Sequence, residues 1–176
     1  MVWSSLLEPN LVLGGSVFAL SPDLMRHHNL RGLILDVDDT LVPLRQAESD
    51  PDLAVWMASI KAVGEVWLVS NNVNSSRIKR IATPLDVPYL TSAGKPSRRK
   101  LKQALEAMDL PPEQVAMVGD RLLTDVLAGN RLGLFTILVD PMPTLDQARP
   151  RLSLLRTLEI ALLKLLGISL GAVPPP

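Results

Sequence analysis

The sequence contains no cysteine. That excludes disulfide scaffolds, cysteine-ligated zinc and thiol nucleophiles, and it accords with a reducing compartment. Aromatic residues are only 3% of the chain, and Trp3, Trp56 and Trp67 form no stacking array. Neither charge is in excess, with 18 Lys and Arg against 18 Asp and Glu. A nucleic-acid partner is therefore not expected. Long hydrophobic runs are missing too. The longest uncharged stretch, Pro9 to Pro22, carries Gly14-Gly15 and two prolines and falls short of the about 20 residues that span a bilayer. No basic flank precedes the first apolar residues, and the first charge is Glu8, so a secretory signal is not expected and the cytoplasm is.

What the chain does have is apolar substance. Hydrophobic residues make up 47% and charged residues 20% of 176 positions, which suits one folded domain. A domain of this size buries about 70% of its unfolded surface, enough for a core without staples. Short apolar runs at 33–35, 66–69, 115–118 and 135–139 are nearly continuous, as in parallel strands covered on both faces. Val87-Pro88-Tyr89-Leu90 is a fifth, edge-type candidate because of its proline.

Helical patterns separate these runs. Leu53, Trp56, Met57 and Ile60 recur at intervals of three and four and stop at Gly64. Asn74 or Ser75 can cap a helix carrying Ile78 and Ile81. Leu101, Leu105 and Met108 line a third, and Leu123, Val126 and Leu127 a fourth, closed by Gly133. Such alternation predicts an α/β fold, a doubly wound and mainly parallel sheet with helices on both faces. Ligands of such sheets sit at the carboxyl ends of the strands.

Those ends hold the chemistry. The first run leads into Asp36-Val37-Asp38-Asp39-Thr40, and the two-residue period of an extended chain puts Asp36 and Asp38 on one side. Two carboxylates so placed repel unless a cation or shared proton compensates. A random Asp-x-Asp-x-Thr is expected about 0.03 times in a chain of this composition. The second run ends at Ser70-Asn71-Asn72, where a hydroxyl and helix-start amides can meet a phosphate; it also reads as an ordinary capping turn. Lys95, between Gly94 and Pro96, can offset clustered carboxylates, though alone it reads as one more surface lysine. Gly119-Asp120 ends a further strand, and Asp125 follows early in the next helix. Oxygen ligands from Asp36, Asp120 and a carbonyl, with waters retained, describe a Mg²⁺ site.

In that order, the motifs Asp-x-Asp-x-Thr, Ser, Lys and Gly-Asp-x-x-x-x-Asp resemble those of the haloacid dehalogenase (HAD) superfamily of phosphatases, over about residues 30–141. Leu68-Val69-Ser70-Asn71-Asn72, Gly94-Lys95-Pro96 and the stretch 119–126 look like its YqeG-type branch, which is related to phosphatidylglycerophosphate phosphatases. Asp39 stands where that branch often has Asn. The resemblance implies a Mg²⁺-dependent phosphomonoester hydrolase with Asp36 as nucleophile and Asp38 as general acid and base. Ser70 and Lys95 would neutralise phosphate charge. The metal would be held by Asp36, Asp120 and the backbone carbonyl of Asp38, with Asp125 as a direct or second-sphere ligand. Thr40 and Asn71 would bind phosphate or tie the loops. The implied substrate is phosphatidylglycerophosphate, with a small soluble phosphomonoester as the alternative. A receiver-type phosphoacceptor or a non-catalytic binding domain are readings of another class.

The intervals 38–70 and 70–95 leave no room for a lid domain beyond a helix and a strand each. An open site suits a bulky or membrane-embedded substrate. The whole chain is expected to be one domain with a core over about 20–145. A C-terminal amphipathic helix is expected over 150–168 and a disordered tail over 169–176. That helix suits packing on its own sheet or on a second copy, and a peripheral contact at the inner face of a membrane is the other reading. Arg77, Lys79 and Arg80, and the run Arg98-Arg99-Lys100, read as solvated helix faces. The adjacent His27 and His28 cannot both face one ion.

Overall fold

The computed structural model of the protein describes residues 3–43 and 51–142. Its single sheet has six parallel strands: β1 (Leu11–Val12), β2 (Gly32–Leu35), β3 (Glu65–Val69), β4 (Tyr89–Leu90), β5 (Val115–Gly119) and β6 (Phe135–Leu138). They lie in the order β1-β6-β5-β2-β3-β4. The helices are α1 (Pro22–His27), α2 (Pro51–Lys61), α3 (Ser75–Leu85), α4 (Arg99–Met108) and α5 (Leu127–Asn130).

Strand side chains alternate between two cores, as a period of two requires. Leu33 and Leu35 of β2, Val66 and Leu68 of β3, and Ala116 and Val118 of β5 join one core with Met25 of α1, Met57 and Ile60 of α2, and Ile78 and Ile81 of α3. Ile34, Val69, Val115 and Met117 join the other with Leu101, Ala104 and Met108 of α4 and Ala128 of α5. Helices thus cover both faces, the doubly wound α/β arrangement expected from the alternating runs. The chain builds outward from β2 through β3 to β4 and then returns to lay β5 on the other side of β2. The reversal between β2 and β5 makes their carboxyl ends the switch point at which such sheets place their ligands.

Local chemistry sets the helix ends. The Ser21 hydroxyl accepts from the Leu24 amide at 3.2 Å to start α1, with Pro22 in its first turn. Asn74 Oδ1 accepts from the Arg77 amide at 3.0 Å to start α3. Asp86, in the left-handed conformation at φ 50°, ends α3 after Pro84.

Four observations refine the sequence reading. β1 lay within the uncharged stretch 9–22 and is only two residues long, too short to leave a pattern. Asn10 holds it beside β6, accepting from the Thr136 amide at 2.8 Å while its own amide donates to Thr136 Oγ1 at 3.1 Å. The Asn130 amide group donates to Leu6 O and Glu8 O, both at 2.9 Å, and so latches the segment before β1. The fifth strand candidate contributes only Tyr89–Leu90, while the Pro88 carbonyl accepts from the Leu68 amide at 2.9 Å.

The fourth helix starts as a π-helical turn over Leu122–Val126, with the Val126 amide reaching back five residues to Arg121 O at 3.3 Å. The wider turn shifts the inward positions, so Leu122 is buried and Leu123 faces solvent. Trp56 is buried, its indole N–H donating to Leu20 O at 2.8 Å. The expected helix at 150–168 and tail at 169–176 lie outside the described residues. Among the described residues, no helix is long and apolar enough to cross a membrane.

Candidate active site

The central strand β2 ends at Leu35, and the Asp36 amide still donates to Val118 O at 2.9 Å, so β5 holds the first aspartate in register. Beyond it the chain turns sharply. Asp39 takes a left-handed φ of 63°, and its amide donates to Val42 O at 3.0 Å. Asn and Asp are the non-glycine side chains that tolerate this conformation best. The backbone therefore explains why Asp is accepted at this position.

Three buried carboxylates, those of Asp36, Asp120 and Asp125, bring one oxygen each within 4.8 Å of one another. Lys95 lies among them, its side chain 1% exposed. The ammonium donates to Asp36 Oδ1 at 2.5 Å and to Val69 O at 3.0 Å, and it pairs with Asp125 Oδ1 at 2.7 Å. The turn that delivers it uses Gly94 at φ +63°. Asn71 then grips the Lys95 backbone from both sides. Its Oδ1 accepts from the Lys95 amide at 2.7 Å, and its Nδ2 donates to the Lys95 carbonyl at 3.2 Å. Of the two roles open to Asn71, this one is structural. Thr40 Oγ1 donates to Asp120 Oδ1 at 3.3 Å and so ties the aspartate loop to the end of β5.

Asp38 stands apart from the trio. One carboxylate oxygen accepts from Ser70 Oγ at 3.0 Å and the other from the Arg77 guanidinium. Ser70 Oγ also accepts from the Asn72 amide at 2.9 Å, so this hydroxyl is engaged within the protein. Arg77 corrects the sequence reading. Far from being solvated, it is buried, and its second terminal nitrogen donates to Pro43 O at 3.1 Å. The signal was available: Arg77, Ile81 and Leu85 recur at i, i+4 and i+8 on one inward stripe of α3. Lys79 and Arg80 are exposed as expected.

Gly119 explains the spacing of the last motif. A Cβ there would lie 2.4 Å from Asp125 Oδ2, so only glycine lets that carboxylate fold back over the end of β5. The Arg121 amide donates to the same oxygen at 3.3 Å.

Electrostatics follow from burial. Removal from water pushes the Asp36 carboxyl up to about 7 against the pull of Lys95, with Asp125 and then Asp38 adding to the rise. Burial likewise raises Asp120 to about 8, with Asp36 and Asp125 contributing next. For Lys95, burial opposes the charge, but Asp125 and Asp36 outweigh it and hold the ammonium above its ordinary range. Fully ionised, the three carboxylates against one ammonium carry a formal charge of −2, so the cluster holds protons near neutrality until a cation takes their place. That is the donor set and the charge that a hard divalent cation takes.

A buried carboxylate cluster with a lysine paired into it, at the switch point of a doubly wound sheet, is the kind of site at which a metal-assisted enzyme works. The comparisons name the class. The HAD-hydrolase-like family matches residues 92–141. The probable phosphatase YqeG of Bacillus subtilis is 39% identical over 132 residues, covering 74% of this chain and 76% of that one. The chloroplastic phosphatidylglycerophosphate phosphatase 1 of Chlamydomonas reinhardtii is 30% identical over 123 residues, but this chain spans only 46% of its length. Among solved structures, a HAD subfamily III A hydrolase from Legionella pneumophila matches the fold. Its TM-score is 0.53 at 17% identity, covering 69% of this chain and 71% of that one. The chain belongs to the HAD superfamily of phosphatases, in its YqeG-type branch. Its substrate is therefore a phosphorylated compound.

Proposed function

We propose that this protein is a Mg²⁺-dependent phosphomonoesterase that removes the terminal phosphate of phosphatidylglycerophosphate. The observation that carries the chemistry is the meeting of Asp36 with Lys95, Asp120 and Asp125 at the carboxyl ends of β2 and β5.

In this reading an Asp36 oxygen attacks phosphorus, forming an acyl phosphate as the bond to the leaving alkoxide breaks. Asp38 passes a proton to that alkoxide. It then takes one from the water that attacks phosphorus, releasing inorganic phosphate and regenerating Asp36. Arg77 and Ser70 hold Asp38 in position, and Asn71 holds Lys95 against Asp36. Lys95 lies where it can meet charge on the transferring group. Asp36, Asp120 and Asp125 are the side chains that would hold Mg²⁺, which when bound supplies charge neutralisation.

Two features support a lipid substrate. The first is the similarity to the Chlamydomonas enzyme. The second is exposed apolar side chains close in sequence to the site residues. Three large apolar residues are exposed among the described ones, and two of them, Val73 (81%) and Leu123 (39%), lie three residues after Ser70 and Asp120. The described connections from Thr40 to β3 and from β3 to β4 contain α2 and α3 and no lid. Exposed apolar side chains in the loops that follow site residues suit peripheral contact with a lipid surface.

The test is phosphate release with Mg²⁺ from phosphatidylglycerophosphate in mixed micelles, against soluble sugar phosphates and nucleotides. Preference for the micellar substrate is expected, and V73D/L123D should lose it while keeping turnover of p-nitrophenyl phosphate. Preference for the soluble panel by about tenfold, some 1.4 kcal/mol in transition-state binding, overturns the lipid assignment.

A further inference from the structure

Outside the carboxylate site, a cavity of about 690 Å³ opens between the start of α4 and the end of α5. It is lined by Ser97, Arg98, Arg99, Lys102, Arg131 and Leu132. Four of these six are cations and none is an acid, in a chain whose charges balance at 18 each. Such a gathering of like charges is costly unless something negative sits among them.

All four cations are exposed, as expected for Arg98 and Arg99, but two of them are braced against the backbone. Arg98 Nη1 donates to Arg131 O at 3.2 Å, and Arg131 Nη1 donates to Pro96 O at 3.1 Å. Each of these bonds uses one of a guanidinium's five donors and fixes the plane of the rest. Glu106 reaches Lys102 at 3.5 Å, and both side chains are about two-thirds exposed. A pair that wet contributes little and leaves Lys102 able to meet a ligand. The position also runs against helix electrostatics. Arg98 precedes α4 without a side-chain cap, and the first turn contains no acid. Cations are disfavoured at that pole unless an anion joins them.

We propose that this cavity is a second anion site, separate from the Asp36–Asp120–Asp125 cluster, that takes a phosphate-bearing ligand by its oxygens. Planar guanidiniums beside a lysine fit phosphate geometry, with two N–H groups able to meet two oxygens at once. Leu132 adds an apolar wall for whatever carries the phosphate. The ligand is either the headgroup of an anionic phospholipid or a soluble polyphosphate compound. Because Arg131 bonds the carbonyl of Pro96, occupancy bears on the segment that follows Lys95.

The test uses the full chain with EDTA present, so that the bare carboxylate cluster repels anions and the phosphatase reading is not at stake. Inorganic pyrophosphate is titrated into ¹⁵N-labelled protein. Amide shifts are expected at 97–102 and 131–132. In R99E/K102E the dissociation constant should rise about tenfold, in a salt-dependent way. These substitutions leave in place Arg98 and Arg131, whose side chains brace backbone carbonyls. With Mg²⁺ added, this variant should hydrolyse p-nitrophenyl phosphate like the wild type.

Sedimentation with phosphatidylcholine vesicles, with and without about 30% phosphatidylglycerol, identifies the source. Pelleting that needs phosphatidylglycerol, is lost in R99E/K102E and is displaced by pyrophosphate supports the headgroup. Pyrophosphate binding without such pelleting supports the soluble ligand. Shifts confined to the segments around Asp36, Ser70 and Lys95, or a variant that binds pyrophosphate as tightly as wild type, overturns the proposal.

Discussion

Asp36 and Asp38 are two residues apart and of one chemical type, yet their neighbours divide them. Asp36 is packed against a lysine and two more acids, while Asp38 is held by a serine and an arginine. In the proposed chemistry this is the difference between a nucleophile and a proton carrier. D36N should lose about 10³-fold or more in turnover while keeping its circular-dichroism spectrum. Full activity in that variant would contradict the assignment. R77M should destabilise the protein by about 2 kcal/mol, since it strips a charged partner from a half-buried carboxylate. A lower urea midpoint with unchanged m-value is the expected reading; an unshifted midpoint counts against the pair.

The aspartates were legible because a strand's period places Asp36 and Asp38 without any tertiary knowledge. Arg77 was not, since its neighbours Lys79 and Arg80 made a uniform charged face the simpler reading. Only the stripe it shares with Ile81 and Leu85 separates it from them.

At the scale of elements, strands and helices were readable where they were long. β2, β3, β5 and β6 are four or five residues long, bury three to five of them on two faces and leave a continuous apolar run. β1, at two residues, leaves none, and its pairing with β6 depends on Asn10, 126 positions away from Thr136. The π-helical turn after β5 was equally hidden. A reading at 3.6 residues per turn assigns Leu123 to the core, and nothing local announces the wider turn. Gly119 links that turn to the site. G119A should force Asp125 away from the cluster, because its Cβ would meet the carboxylate at 2.4 Å. Mg²⁺ affinity measured by calorimetry is expected to fall about tenfold or more, with a smaller loss of thermal stability. Unchanged affinity would show that Asp125 takes no part in holding the ion.

For the molecule as a whole, the buried acids couple stability to pH. In the metal-free protein, Asp36 and Asp120 titrate near 7 and 8 when folded and at the ordinary carboxylate value of 3.8 when unfolded. The folded state therefore binds more protons between those limits, and stability from these groups is full below about pH 4 and lost as pH rises through 7 to 8. Melting temperatures in EDTA should decline from pH 5 to pH 8, and saturating Mg²⁺ should flatten that decline by favouring the ionised carboxylates. A flat profile in EDTA would remove the electrostatic basis for the cluster.

The latch of Asn130 on Leu6 and Glu8, with Asn10 beside Thr136, has a consequence for how copies of this chain meet. Those few bonds keep a two-residue ribbon over the open flank of β6. A chain shortened to begin at Gly14 would present a bare row of amides and carbonyls there. Two such molecules could satisfy each other across that flank, so trimming this end should promote strand-swapped dimers or aggregates.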